Sequence, residues 1–380
     1  MQLSAGEVSR SRPGKHGIAG PHRSPDRRPG AHTYVLPADG IRCTDLRSPQ
    51  AREGPGRGQS GRMAPAYRFP TPRTPHGPGL GSLLELLAET RLVTLTGPAG
   101  VGKSHLAARL AETVTDLPVH HCDLSDCADA ALVPQTVAAA LHAGTAPGSG
   151  TDPMEAVLRL LAGRRGLLVL DTCERVRAGC AYLVGRLHDS CPGLQILLTS
   201  RTPIGVPGEQ RVPLHPLSRE HTVELLREKA AMQGVDLPVF WTRLLAERLD
   251  GDPLSVLLAA RTLGRATTPQ QLYGSLCEPG ARFGVLIHGP QRPARHRTLL
   301  RSIAWSHDLC GRAERLLWAR LSAFTGSFTA EQVRTVFASD EELAALVDAS
   351  VVLAEDDGSY RLPLAHREYG QLLLAEPGKL

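Results

Sequence analysis

The sequence predicts an α/β fold: a parallel sheet covered on both faces, then a helical subdomain, then a winged-helix domain. Three observations predict it. Short apolar runs alternate with helix-period segments from Leu92 to about Leu217, the pattern of parallel strands joined by helical crossovers. From Ser218 the strand-like runs stop and amphipathic helical segments follow one another. Near the end, helices give way to two short strand-like runs around an Asp356-Asp357-Gly358 turn.

Taken in order, residues 1–79 come first. They hold 12 glycines and 12 prolines and no sustained apolar periodicity. Such a segment cannot bury enough apolar area to offset its ordering entropy, so it is expected to be disordered. It also carries the charge. Residues 1–80 have 13 Lys+Arg against 5 Asp+Glu, while the other 300 residues have 30 against 33. The formal net charge of +5 therefore belongs to the leading segment. An arginine-rich tail can hold nucleic acid by phosphate attraction, or it can be a plain unstructured extension. No apolar run approaches the roughly 18 residues that span a bilayer, and the N-terminus lacks the apolar stretch of a secretory signal. The expected compartment is cytoplasmic, and the eight cysteines, none in a C-x-x-C pair, read as reduced. The stretch HHCDLSDC (120–127) reads as a strand and loop or, less in keeping with zinc-site spacing, as a metal site.

Residues 80–217 carry the alternation. SLLELLAET (82–90) is helical, LVTLT (92–96) a buried strand, and SHLAARLAETV (104–114) a helix. LPVHHCDL (117–124) is a second strand, followed by helices at 131–144 and 154–163. GLLVLD (166–171) is a third strand, AYLVGRLHD (181–189) a helix, LQILLTSR (194–201) a fourth strand and QRVPLHPL (210–217) a short last one. The helical subdomain is expected over 218–280, with helices at 219–232, 241–250, 253–263 and 269–276. A Gly/Pro/Arg-rich linker follows at 281–297, then the winged-helix domain at 298–380. Its helices are expected at 298–309, 312–324, 330–338 and 342–348, before the hairpin.

The chemistry centres on Gly97-Pro98-Ala99-Gly100-Val101-Gly102-Lys103-Ser104, which fits G-x-x-x-x-G-K-[ST] in full. Glycines let the backbone curl its N–H groups around phosphate, and the following helix points its positive end at the same anion. Lys103 reaches the β- and γ-phosphates, and the Ser104 hydroxyl can ligate Mg²⁺. His105, next in the chain, is grouped with this loop as nucleotide-binding. The strand before the loop and the helix after it complete the pattern, so the α/β part reads as a P-loop NTPase parallel sheet. A second acidic element should hold the metal, and GLLVLD ends in Asp171 about 65 residues downstream. Thr172 follows it and cannot act as a general base, which implies slow or partner-dependent hydrolysis. Glu174 either orients water or compensates charge at a helix start. Arg201, at the end of the fourth strand, either reads the γ-phosphate or is a surface arginine. As the former it would distinguish triphosphate from diphosphate. Lys103, Asp171, Glu174 and Arg201 are thus the candidate catalytic set.

These residues together resemble the STAND class of signal-transducing P-loop ATPases, close to the NB-ARC type. In particular they resemble the ATPase portion of bacterial SARP-type and LuxR-type transcriptional regulators. The resemblance covers roughly Ser82 to Ala375. It rests on RLVTLTGPAGVGKS, GLLVLDTCE, PGLQILLTSRTPIGVPGE, LDGDPLSVLLAAR, RHRTLLRSIAWSHDL, AERLLWARLSAFTGSF and YRLPLAHREY. It implies an ATP- or ADP-binding switch with Mg²⁺, acting in transcription or signalling. A protein partner or self-association would work through the switch domains. It also implies that Pro253, in Gly251-Asp252-Pro253, packs on adenine; Asp252 stands where relatives usually have Leu and doubles as a helix cap. Gly77–Gly81 lacks the arginine of the family's adenine-holding element. Leu362-Pro363-Leu364 replaces the Met-His-Asp element that touches diphosphate, and His366 nearby is not assigned that role. The chain resembles a short or truncated member without the usual DNA-binding effector. The alternative function is DNA binding through the winged helix and basic tail, although 297–374 is not markedly basic.

Overall fold

A computed structural model of the chain describes residues 79–142, 150, 152–265, 267–290, 294–337 and 340–375. The Arg/Pro/Gly-rich segment, apart from Gly79, lies outside the described residues.

Five parallel strands form one sheet: β1 (Leu92–Thr96), β2 (Val119–Asp123), β3 (Gly166–Asp171), β4 (Leu194–Thr199) and β5 (Gln210–Pro213), in spatial order β2-β3-β4-β1-β5. The central strands β1 and β3 are buried at every residue, and β4 nearly so, which is why their sequences are continuous apolar runs. Within each strand alternate residues serve opposite faces. Val93, Leu95, Leu167, Val169 and Leu197 pack under helices Leu80–Thr90 and Lys103–Thr113. Leu92, Leu168, Leu170, Ile196 and Leu198 pack under helices Val133–Ala140, Pro153–Leu161 and Arg177–Ser190. The edge strands β2 and β5 have exposed positions, consistent with their mixed sequences. Cys122 and Cys127 are buried in the second of these cores, as small apolar residues.

Four helices follow the sheet: Arg219–Ala231, Val239–Leu249, Pro253–Leu263 and Pro269–Cys277. Three of them start at a side-chain cap. Ser218 caps the first by accepting from His221 N–H, Asp252 caps the third, and Thr268 closes a capping box with Gln271. Helices Leu299–Leu309, Arg312–Leu321, Ala330–Phe337 and Asp340–Asp348 come next, then the antiparallel pair β6 (Leu353–Ala354) and β7 (Tyr360–Arg361). All of these share one apolar cluster that runs from Leu225 and Leu258 through Ile303, Trp318 and Leu346 to Leu362.

Two elements were not legible in the apolar pattern. The stretch expected as linker contains a helical turn, Arg282–Val285, with Arg282 buried against Glu368 at 3.1 Å. A last helix, Leu364–Ala375, packs on Arg312–Leu321. His366, Arg367 and Glu368 break its apolar period. The structure buries two of these polar residues all the same, Glu368 on Arg282 and His366 under Trp318, whose indole N–H donates to the His366 carbonyl at 2.9 Å. Among the described residues no helix is long and apolar enough to cross a membrane.

Candidate nucleotide site

The loop between β1 and helix Lys103–Thr113 has the backbone its glycines foretell. Gly97, Gly100 and Gly102 have φ of 143°, 83° and 103°. A side chain at Gly97 would meet the Leu214 carbonyl at 2.6 Å, and one at Gly100 would meet Asp252 Oδ1 at 2.5 Å. Glycine is needed at both for conformation and for space. Lys103 curls back, its ammonium donating to the carbonyls of Gly97 at 2.6 Å and Pro98 at 2.9 Å.

The carboxyl ends of β3 and β4 supply the opposite wall. Asp171 is buried and accepts hydrogen bonds from Ser104 Oγ at 2.7 Å and from Thr199 Oγ1. The β3 acid, the last loop residue and the β4 terminus are therefore one hydrogen-bonded unit. Thr172, a β-branched residue, has φ of 66°, a region such residues rarely adopt. Two contacts hold it there. Its N–H donates to Thr199 Oγ1 at 2.9 Å, and its hydroxyl accepts from Arg295 Nη2 at 2.7 Å. Strain of this kind persists only where the surroundings over-determine it.

Glu174 and Arg201 form a buried pair at 3.3 Å, with side chains 5% and 4% exposed. Arg201 also donates through Nη1 to the Ser302 carbonyl at 3.3 Å and to Ser306 Oγ. Its own carbonyl accepts from Ser350 Oγ at 2.9 Å. Arg201 is thus not a surface arginine. It joins the β4 end to helix Leu299–Leu309, and Arg175 over the Trp305 ring at 4.6 Å extends that seam. Burial lowers the Arg201 pKa, against the pull of Glu174. Burial and the charges of Arg201 and Arg295 likewise bring Lys103 down to about 7, opposed by Glu174 and Asp171.

The structure therefore gathers Lys103, Ser104, Asp171, Glu174 and Arg201 at one edge of the sheet. His105, in the first turn of the loop helix, is half-buried, and burial with Arg109 lowers its pKa. Pro253 opens helix Pro253–Leu263, yet it is its neighbour Asp252 that touches the loop at Gly100. Asp252 accepts from Leu254 N–H, Ser255 N–H and Ser255 Oγ, and burial raises it to about 6. A cavity of about 30 Å³ beside the loop is lined by Pro98, Ala99, Asp252, Pro363 and His366, among others. His366 thus lies by the loop although its sequence neighbourhood lacks the Met-His-Asp element, and burial takes it down to about 3. Sequence reasoning gave no site role to Arg295, Ser302 or Ser306, although RHRTLLRSIAWSHDL, which holds all three, is among the stretches that carry the family resemblance.

These residues fit a phosphate chain and a divalent cation. Positive-φ glycines lead into a helix start and a lysine, and two oxygen groups suited to a hard cation, Ser104 Oγ and Asp171, lie 2.7 Å apart. Fold and site together define a P-loop ATPase domain. A family model of the AAA domain matches residues 87–204. A Walker-type ATPase of Pyrococcus abyssi has a similar fold, with a TM-score of 0.54 at 17% identity over 77% of this chain and 93% of that one. A Mycobacterium tuberculosis chain, named by inference as an HTH-type transcriptional regulator, is 36% identical over 276 residues. That match takes in 68% of this chain and only 30% of the mycobacterial one. A second, uncharacterized M. tuberculosis protein is 32% identical over 278 residues, 68% of this chain and 69% of that protein. The chain belongs to the family of this second protein.

Proposed function

We infer that the chain is an ATP/ADP switch of the STAND type, close to NB-ARC, and works in transcriptional regulation or signalling. One observation carries the reading: segments that follow the sheet close directly over the phosphate edge. Asp252 lies on Gly100, Arg295 on Thr172, and Ser302 and Ser306 on Arg201. A phosphate chain seated in the loop would change the charge that these contacts face. A ligand shifts such an equilibrium only by its differential affinity for the two arrangements.

In this reading Gly97–Ser104 cradles the phosphates and Lys103 meets their charge. Ser104 and Asp171 hold Mg²⁺, which would offset charge on the phosphates when bound. His105 and Pro253 border the nucleotide. Glu174 is paired with Arg201 rather than free to orient water, in keeping with slow or partner-dependent hydrolysis. Residues 298–380, with four helices, a hairpin and a last helix among the described ones, are the winged-helix domain, and 218–280 the helical subdomain. The motifs shared with SARP-type and LuxR-type regulators, and the relative named as a transcriptional regulator, support the regulatory role.

Amide hydrogen exchange of residues 299–309 with Mg-ATP and with Mg-ADP tests the switch, with phosphate release followed in parallel. Protection that differs between the two nucleotides is expected. Identical protection, with both nucleotides bound, would refute it.

A further inference from the structure

The connector before helix Leu299–Leu309 brings a third cation to the phosphate edge. We propose that Arg295, rather than the strand-end Arg201, reads the terminal phosphate and so separates nucleoside triphosphate from diphosphate. The proposal rests on the nucleotide-switch reading above and deepens it.

Three observations converge. First, Arg201 is committed elsewhere. Its Nε pairs with Glu174 inside the protein, and its Nη1 donates to the Ser302 carbonyl and to Ser306 Oγ. Turning it toward a phosphate would strand a buried carboxylate, which is strongly unfavourable. Second, Arg295 is lightly held. It is half-buried, and Nη2 donates to Thr172 Oγ1 at 2.7 Å. Among the described residues no carboxylate lies within ion-pair distance of it. A guanidinium offers five donors, so most of its capacity is available for the planar, forked contact that phosphate oxygens accept. Third, its place is the right one. Thr172 directly follows Asp171, and the Arg295 charge is felt at both Lys103 and Arg201. Among the described residues, Lys103 feels the carboxylates Glu174 and Asp171 against the cations Arg201 and Arg295, and Glu174 is already paired with Arg201. A terminal phosphate would bring these cations further negative charge.

The location also gives the contact a consequence. Arg295 sits in the turn 294–296, immediately before the helix whose Ser302 and Ser306 hold Arg201. A phosphate gripped by Arg295 would pin the start of that helix to the Asp171 loop. Loss of the phosphate would leave only the Thr172 contact.

The test is equilibrium binding of fluorescent ATP and ADP, with Mg²⁺, to the full chain. The variants are Arg295→Ala, Arg295→Gln and Lys103→Ala. Both Arg295 variants should weaken ATP binding tenfold or more and ADP binding less than twofold, so the affinity ratio collapses. Adding inorganic phosphate to the ADP complex should not restore the difference. Gln keeps a donor for Thr172, so it guards against a purely structural effect of Ala, which would move both nucleotides alike. Equal loss of both affinities, or no loss, overturns the proposal while leaving the nucleotide site intact. Failure of the parent to bind either nucleotide, or binding by Lys103→Ala equal to the parent's, overturns the switch reading and this proposal with it.

Discussion

Removing the Arg201 side chain should cost the protein more than any other single change at the phosphate edge. Arg201→Ala deletes the guanidinium that pairs with Glu174 at 3.3 Å, both side chains being about 5% exposed or less. The carboxylate is then left inside the protein without its counter-charge. Breaking a buried pair in this way costs about 3–5 kcal/mol. The lost donors to the Ser302 carbonyl and Ser306 Oγ fall on the same variant, so the upper half of that range is expected. With a urea slope of about 2 kcal/mol per M, the unfolding midpoint should drop by about 2 M. Replacing both partners, Arg201→Met with Glu174→Gln, should recover the midpoint to within about 0.5 M. No charge is then stranded, and apolar replacement of a buried pair is often close to neutral. Urea unfolding followed by far-UV circular dichroism reads both variants. A shift below about 0.5 M for Arg201→Ala, or a double variant no better than the single, would refute the claim that Arg201 is a structural tie.

Other consequences are equally checkable. Gly100→Ala puts a Cβ at φ 83° and 2.5 Å from Asp252 Oδ1, so strain and crowding should cost about 2–4 kcal/mol in urea unfolding; a neutral effect would show that Asp252 does not rest on the loop. Asp250 accepts from Arg361 Nη1 at 3.0 Å on both oxygens and from Leu364 N–H at 2.7 Å. Asp250→Ala should therefore loosen the hairpin and last helix by about 1–3 kcal/mol, the partial exposure of the pair keeping it modest, and limited proteolysis near β7 should rise. Asp252 is raised by burial to about 6 from 3.8. The folded state then binds the extra proton between those values, so this group's contribution to stability is present below about 4 and is lost as pH rises through about 6. Asp252→Asn, which keeps the cap, should flatten the loss of stability between pH 4 and pH 6; an unchanged slope would contradict it.

The sheet and the P-loop were legible because their signals are local. β1, β3 and β4 are buried on both faces, so their sequences are unbroken apolar runs, and Gly97–Ser104 packs its spacing into eight neighbouring residues. Asp171 could be placed because a strand end following a P-loop points one way. What the sequence hid is tertiary. Arg295 and Thr172 are 123 positions apart, and Arg201 and Ser306 are 105 apart. Nothing in RPARHR says that the turn folds back onto the β3 end. Arg201 was identified as a site residue, yet its commitment to Glu174 is a matter of burial that no spacing reveals. Thr172 reads as an ordinary strand-end residue until its φ of 66° is seen. The last helix was obscured because its buried face carries His366 and Glu368, polar residues whose partners come from other elements.

The central claim is that a nucleotide's phosphates are held by the Gly97–Ser104 loop through Lys103. Isothermal titration of the parent and of Lys103→Ala with Mg-ATP tests it most directly. The account predicts saturable binding at one site in the parent and none detectable in the variant, with both chains folded by circular dichroism. Equal heats and affinities in the two would contradict it.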